Sequence, residues 1–225
     1  MNTWVKVARF NLARRANYLV LPWILPLAFA LAAITAGRRH EAAGYLISFF
    51  IYFAVQGWQT IDRSLPFGLA LGVSRRSFYS GTALLGVVLA LVSGLVLTAL
   101  QAIERATDGW GLSMHFFRVT YLLNGPWYAT WLTSAVGLSA LFVYGMWHGV
   151  VYHRWGMFGT LAFIAAQVLV LVAGGRVVAS EHWRLFSTAG GSSPDLTALG
   201  LTGVVAALTV LLLAGGHATI RRATV

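Results

Sequence analysis

Six long apolar runs, each free of Asp, Glu, Lys and Arg, constrain this chain more than any other feature. They fall at about 17–36, 43–61, 79–100, 128–150, 157–175 and 196–215, each near the twenty residues that a helix needs to cross a bilayer. A soluble fold could not hide them: 58% of the residues are hydrophobic and only 10% are charged, against about 25% charged in ordinary globular domains. The sequence therefore predicts an all-α, polytopic membrane protein. The whole of 1–225 is expected to form one transmembrane domain with six transmembrane helices, with no loop long enough to hold a soluble catalytic domain.

The charges lie between the runs and predict orientation. One side receives Lys6, Arg9, Arg14, Arg15, Arg63, Arg75, Arg76, Arg154, Arg221 and Arg222, with Asp62 its one acid. The other receives Arg38, Arg39, Arg105, Arg118, Arg176 and Arg184 together with Glu41, Glu104, Asp108, Glu181 and Asp195. Cytoplasmic flanks collect Lys and Arg, so both termini are expected in the cytoplasm. The basic excess then serves membrane topology, and no separate basic domain points to nucleic acid.

Residue counts exclude several chemistries. There is no cysteine, hence no disulfide, thiolate metal site or cysteine nucleophile. The one lysine, Lys6, follows Val5 and cannot belong to a P-loop. His40-Glu41 begins an H-E-x-x-H pattern, but Gly44 stands where the second histidine belongs. His148 and His153 are five apart, not the i, i+4 spacing of a helical ligand pair, and sit among Trp147, Tyr152 and Trp155 as interfacial histidines do. There is no Gly-x-Ser-x-Gly elbow. The chain is expected not to be an enzyme, with no catalytic or metal residues. An intramembrane active site would need polar groups converging at one depth, and Gln56, Gln167, His148 and the span serines are sparse material for it.

Two segments outside the runs carry more than a connection needs. Residues 1–16 set Trp4, Val5, Val7, Ala8, Phe10 and Leu12 against Lys6, Arg9, Arg14 and Arg15. That pattern suits an N-terminal amphipathic interfacial helix against anionic lipid, or a basic flank that fixes topology. Residues 62–78 form a cytoplasmic connection that is largely apolar and punctuated like folded structure. Ser64 is placed to cap a short helix with Pro66 in its first turn, Gly72 to end it with positive φ, and Ser74 to cap the next helix. Arg75 and Arg76 then fall in a first turn where the macrodipole prefers acids, so lipid headgroups or an acidic partner must account for them. Leu65, Phe67, Leu69 and Leu71 either dip into the membrane or dock on another protein.

The run from Leu65 to Thr82, LPFGLALGVSRRSFYSGT, resembles the cytoplasmic stretch of small bacterial ABC transporter permeases of the ABC-2 exporter type, which show PF-x-L-x-LGVSRR-x-F-x-x-GT before the third span. The likeness is specific over about twenty residues and architectural elsewhere. It implies a transmembrane permease subunit of an exporter in the bacterial cytoplasmic (inner) membrane, multi-pass, coupled through Leu65, Pro66, Phe67, Gly72, Arg75 and Arg76 to a separate P-loop ATPase subunit. ATP and Mg would be bound by that partner, with no cofactor in this chain, and a second permease copy or a paralogous permease would complete the path. A non-transporting membrane interaction protein, such as an immunity or assembly factor, would use the same loop for docking.

Within the runs, Gln56 and Gln167 need hydrogen-bond partners, either as lining of a substrate path or as interhelical bonds. Gly145-x-x-x-Gly149 fits close helix approach. The connection over 101–127, with Trp110, Phe116, Phe117, Tyr121 and Trp127, and that over 176–195, with Trp183, Leu185 and Phe186, carry interfacial aromatic residues. By the resemblance, 176–195 would close the outer mouth as a re-entrant hairpin. Gly190-Gly191 supplies a turn before Ser192 to Asp195 cap the last helix.

Overall fold

The computed structural model describes residues 20–35, 43–109, 117, 126–179 and 198–222. Residues 1–16 and the connection at 180–195, including Gly190-Gly191, lie outside the described residues. Among those described, every regular element is a helix: α1 (Leu21–Thr35), α2 (Ala43–Ala70), α3 (Arg75–Ala106), α4 (Trp127–Ala179) and α5 (Ala198–Arg222). α4 is the central element, against which α2, α3 and α5 pack, while α1 lies on α2 through Trp23 and Phe49, ring centroids 4.6 Å apart.

The all-helical expectation holds, but the count of six membrane spans does not. Among the described residues two helices are long and apolar enough to cross a membrane, Arg75–Ala106 and Trp127–Val170. The reasons are local. α1 has 15 residues, about 22 Å against a hydrocarbon core of about 30 Å. α2 dilutes its apolar stretch with Gln56, Gly57, Trp58, Gln59, Asp62 and Arg63. The predicted fourth and fifth runs lie on the two arms of one element, α4, on either side of the non-helical Gly156, and the apolar part of α5 is only Thr202–His217.

α4 doubles back on itself. Gly156 takes φ 66°, ψ −162°, a conformation open to glycine alone, and beyond it Phe163 stacks on both Trp147 (5.3 Å) and His148 (5.1 Å). Tyr144 donates its hydroxyl to Gln167 Oε1. A straight helix would hold those two residues about 35 Å apart, so the arms before and after Gly156 run antiparallel.

α2 buries Leu46, Phe49, Phe53, Gln56 and Thr60 at intervals of three and four, and Ile61 and Leu65 beyond them, the spacing of one helix face. Because that face continues through Ile61 and Leu65, the helix runs on to Ala70 and Ser64 caps nothing. Pro66 sits inside α2, where it forfeits only the bond to the Asp62 carbonyl. Glycines seal α2 against the first arm of α4: a Cβ at Gly57 would strike the Phe142 carbonyl, one at Gly145 the Ala54 carbonyl, and one at Gly149 Ile61. The Gly145-x-x-x-Gly149 pair thus does what its spacing predicts.

Candidate functional site

The turn between α2 and α3 is built by two backbone signals. Val73 N–H bonds the Gly68 carbonyl (3.1 Å) and Gly72 N–H the Leu69 carbonyl (2.9 Å), the paired bonds of a Schellman ending, with Gly72 at φ 77° as that ending requires. Two residues on, Ser74 Oγ accepts from Ser77 N–H at 3.2 Å as the N-cap of α3. The Phe78 ring lies on the backbone of Gly68, where a Cβ would come within 2.8 Å. The connection is therefore a rigid helical tip.

This tip divides the predicted coupling residues. Leu65 turns inward, 8% exposed, with Leu69 and Val73 packed beside the core. Pro66, Phe67, Leu71 and Gly72 face outward, Phe67 being 51% and Leu71 64% exposed. Arg63 and Arg76 are exposed beside them and Arg75 is half-buried. The tip is tied to the fold-back of α4 by Asp62 and His153 (3.6 Å) and by the rings of Trp58 and Tyr152 (6.2 Å). Arg154, stacked on Trp155 at 4.7 Å, adds a further cation at this end of the helices, which also carries Arg63, Arg75 and Arg76.

The two glutamines do not meet. Gln56 is buried in α2 next to Gly57, which packs on Phe142 and Met146 of α4, whereas Gln167 bonds Tyr144. Positions 142, 145, 146 and 149 lie opposite positions 144, 147 and 148 around a helix of 3.6 residues per turn, so the first arm of α4 stands between the glutamines.

The sequence reading missed the inner stripe of α3. Tyr79, Thr82, Ser93, Thr98, Gln101 and Glu104 are all buried, and on α4 Thr130 and Ser134 are likewise buried. Glu104, read from sequence as an acid of the outer connection, is 2% exposed and accepts from Phe117 N–H through Oε2 at 2.8 Å. The signal was present as polar residues at helical spacing inside an apolar run. The other face of α3 is apolar and exposed, with Leu84, Val88, Leu91, Val92, Leu95 and Val96 between 36% and 55% open. Buried hydroxyls beneath a face of exposed leucine and valine accompany a helix whose length and apolar composition suffice to cross a membrane. His148 Nδ1 donates to the Tyr144 carbonyl at 3.0 Å, and among the described residues no three His, Asp or Glu side chains gather to hold a metal.

The site thus consists of an exposed apolar and basic helical tip at one end of a membrane-associated helical bundle. Compared with protein-family models, curated proteins and solved structures, the chain matches none.

Proposed function

We propose that this chain is a membrane-embedded permease subunit of an ATP-driven exporter, coupled through the α2–α3 tip to a separate P-loop ATPase. The observation that carries the proposal is the tip itself: Pro66, Phe67 and Leu71 stand exposed on a turn locked by Gly72 and Ser74, ringed by Arg63 and Arg76. A flexible linker would need none of that structure, and apolar side chains held out this way suit burial in a partner's groove. The arginines favour an acidic rim on the partner. The likeness of residues 65–82 to the permease stretch names that partner's class. The tip would then face the cytoplasm of a bacterial cell, and a second permease chain would complete the path. ATP and Mg would be bound by the ATPase.

Phe67→Asp combined with Leu71→Asp tests this without cutting the helix, since both side chains point outward. Co-expression with genomic neighbours and purification in mild detergent should yield a stoichiometric P-loop ATPase with the native chain and at least tenfold less with the double variant. Equal recovery from both would overturn the docking assignment. A non-transporting interaction protein is the second reading, favoured by the separation of Gln56 from Gln167, and recovery of a non-ATPase partner through the same tip would select it.

A further inference from the structure

The first arm of α4 has α2 on one side and the second arm on the other. Gly145 and Gly149 close on α2 at Ala54 and Ile61, whereas Tyr144 bonds Gln167 and the His148 ring lies 5.1 Å from that of Phe163. Between these neighbours the first arm presents Gly137, Leu141, Tyr144 and His148, spaced by three and four along one helix face. That face floors an open furrow. A Cβ on Gly137 would meet only the Phe50 ring, at 4.0 Å, Tyr144 is 37% exposed, and Gln167 is half-buried.

The polar pair in this furrow has bonding capacity left over. The Tyr144 hydroxyl gives its hydrogen to Gln167 Oε1, which leaves an acceptor lone pair on the tyrosine oxygen and two donor hydrogens on the Gln167 amide. On the membrane-embedded placement proposed above, Arg154 and Trp155 mark the headgroup level, and Tyr144 and Gln167 each lie about three turns inward from Gly156, roughly 17 Å. That depth is near the middle of an apolar layer about 30 Å thick, where acyl chains can neither give nor accept a hydrogen bond. Charge is absent as well. Residues 127–153 and 157–175 contain no Asp, Glu, Lys or Arg, so a charged group entering the furrow would find no counter-ion on α4.

We propose that this furrow binds an apolar molecule ending in an uncharged hydroxyl. The ligand hydroxyl accepts from the Gln167 amide and donates to the Tyr144 oxygen, while its apolar body lies along Leu141 towards Gly137, a distance of about 10 Å. The rings of His148 and Phe163 wall the hydroxyl end. The site rests on the membrane placement and not on the α2–α3 tip, so loss of ATPase docking would leave it intact.

The test uses the full chain in phosphatidylcholine vesicles, photolabelled with a diazirine-bearing octanol and, separately, with the matching diazirine octane, the labelled peptides being located by mass spectrometry. Alkaline extraction beforehand separates the two inferences, since a chain released from the vesicles would overturn the membrane placement and this site with it. The octanol should label residues 141–148 or 163–167 saturably and at least tenfold more than the octane does. Tyr144→Phe with Gln167→Leu removes the hydrogen bonds at similar volume and should cut that labelling about tenfold, as expected for the loss of one or two net hydrogen bonds. Gly137→Leu fills the far end of the furrow without touching the polar pair and should cut labelling likewise, which decides the matter if the double variant does not fold. Equal labelling by octanol and octane, or labelling unchanged in either folded variant, would overturn the proposal. A furrow that stays unlabelled in a chain recovered as a dimer would belong to a second copy and would overturn it too.

Discussion

Single residues set how closely these helices approach. The Cβ of Gly145→Ala would meet the Ala54 carbonyl, a backbone atom that cannot rotate away. This change should destabilise the fold by about 3 kcal/mol, the upper end of overpacking costs. Gly137→Ala, whose Cβ meets only the edge of Phe50 at 4.0 Å, should be neutral or stabilise by about 0.5–1 kcal/mol through helix propensity. Thermal unfolding of both variants in one detergent checks the contrast, and equal losses would mean that the α2–α4 contact is looser than the structure shows. The lipid-facing reading is likewise decided at one position. Leu95→Arg, on the exposed face of α3, should cost about 2.5–3.5 kcal/mol of membrane insertion, whereas a surface site in a water-soluble protein would lose under about 0.5 kcal/mol. Glycosylation mapping of inserted chains reads the difference.

At the scale of elements, the tip is where sequence and structure correspond best. Gly72→Val forces a branched residue into φ 77° and should cost about 1–2 kcal/mol. Ser74→Ala loses the bond to Ser77 N–H and about 1 kcal/mol. Faster amide hydrogen exchange in the first turn of α3 would report either loss, and unchanged exchange in both would show that the turn does not depend on its caps. Those two residues were legible because a C-terminal glycine and an N-cap serine act on their own backbone. Ser64 carries the same local signal as Ser74, yet it caps nothing, since Ile61 and Leu65 bury a continuous face that only the assembled bundle reveals. The same non-local cause hid the separation of Gln56 from Gln167 and the burial of Glu104. Hydropathy of one run at a time could not show that the fourth and fifth runs pack on each other across Gly156, or that polar residues inside the third share an inner stripe.

For the molecule as a whole, the fold-back at Gly156 decides which surfaces meet. Because the native chain has no cysteine, Tyr144→Cys with Gln167→Cys gives a clean readout: a short bifunctional thiol reagent should cross-link the pair within one chain, which a straight helix would forbid. Failure to cross-link would straighten α4 and release Phe163 from Trp147 and His148. α2 has a mechanical consequence of its own. Its 28 residues make a rod of about 42 Å with no break between Ala43 and Ala70, and its tightest contact, Gly57 and Ala54 against Phe142 and Gly145, lies near the middle. Beyond it Ile61 rests on Gly149 and Asp62 pairs with His153, so a load on Phe67 meets no hinge within α2 and passes through these contacts into the first arm of α4.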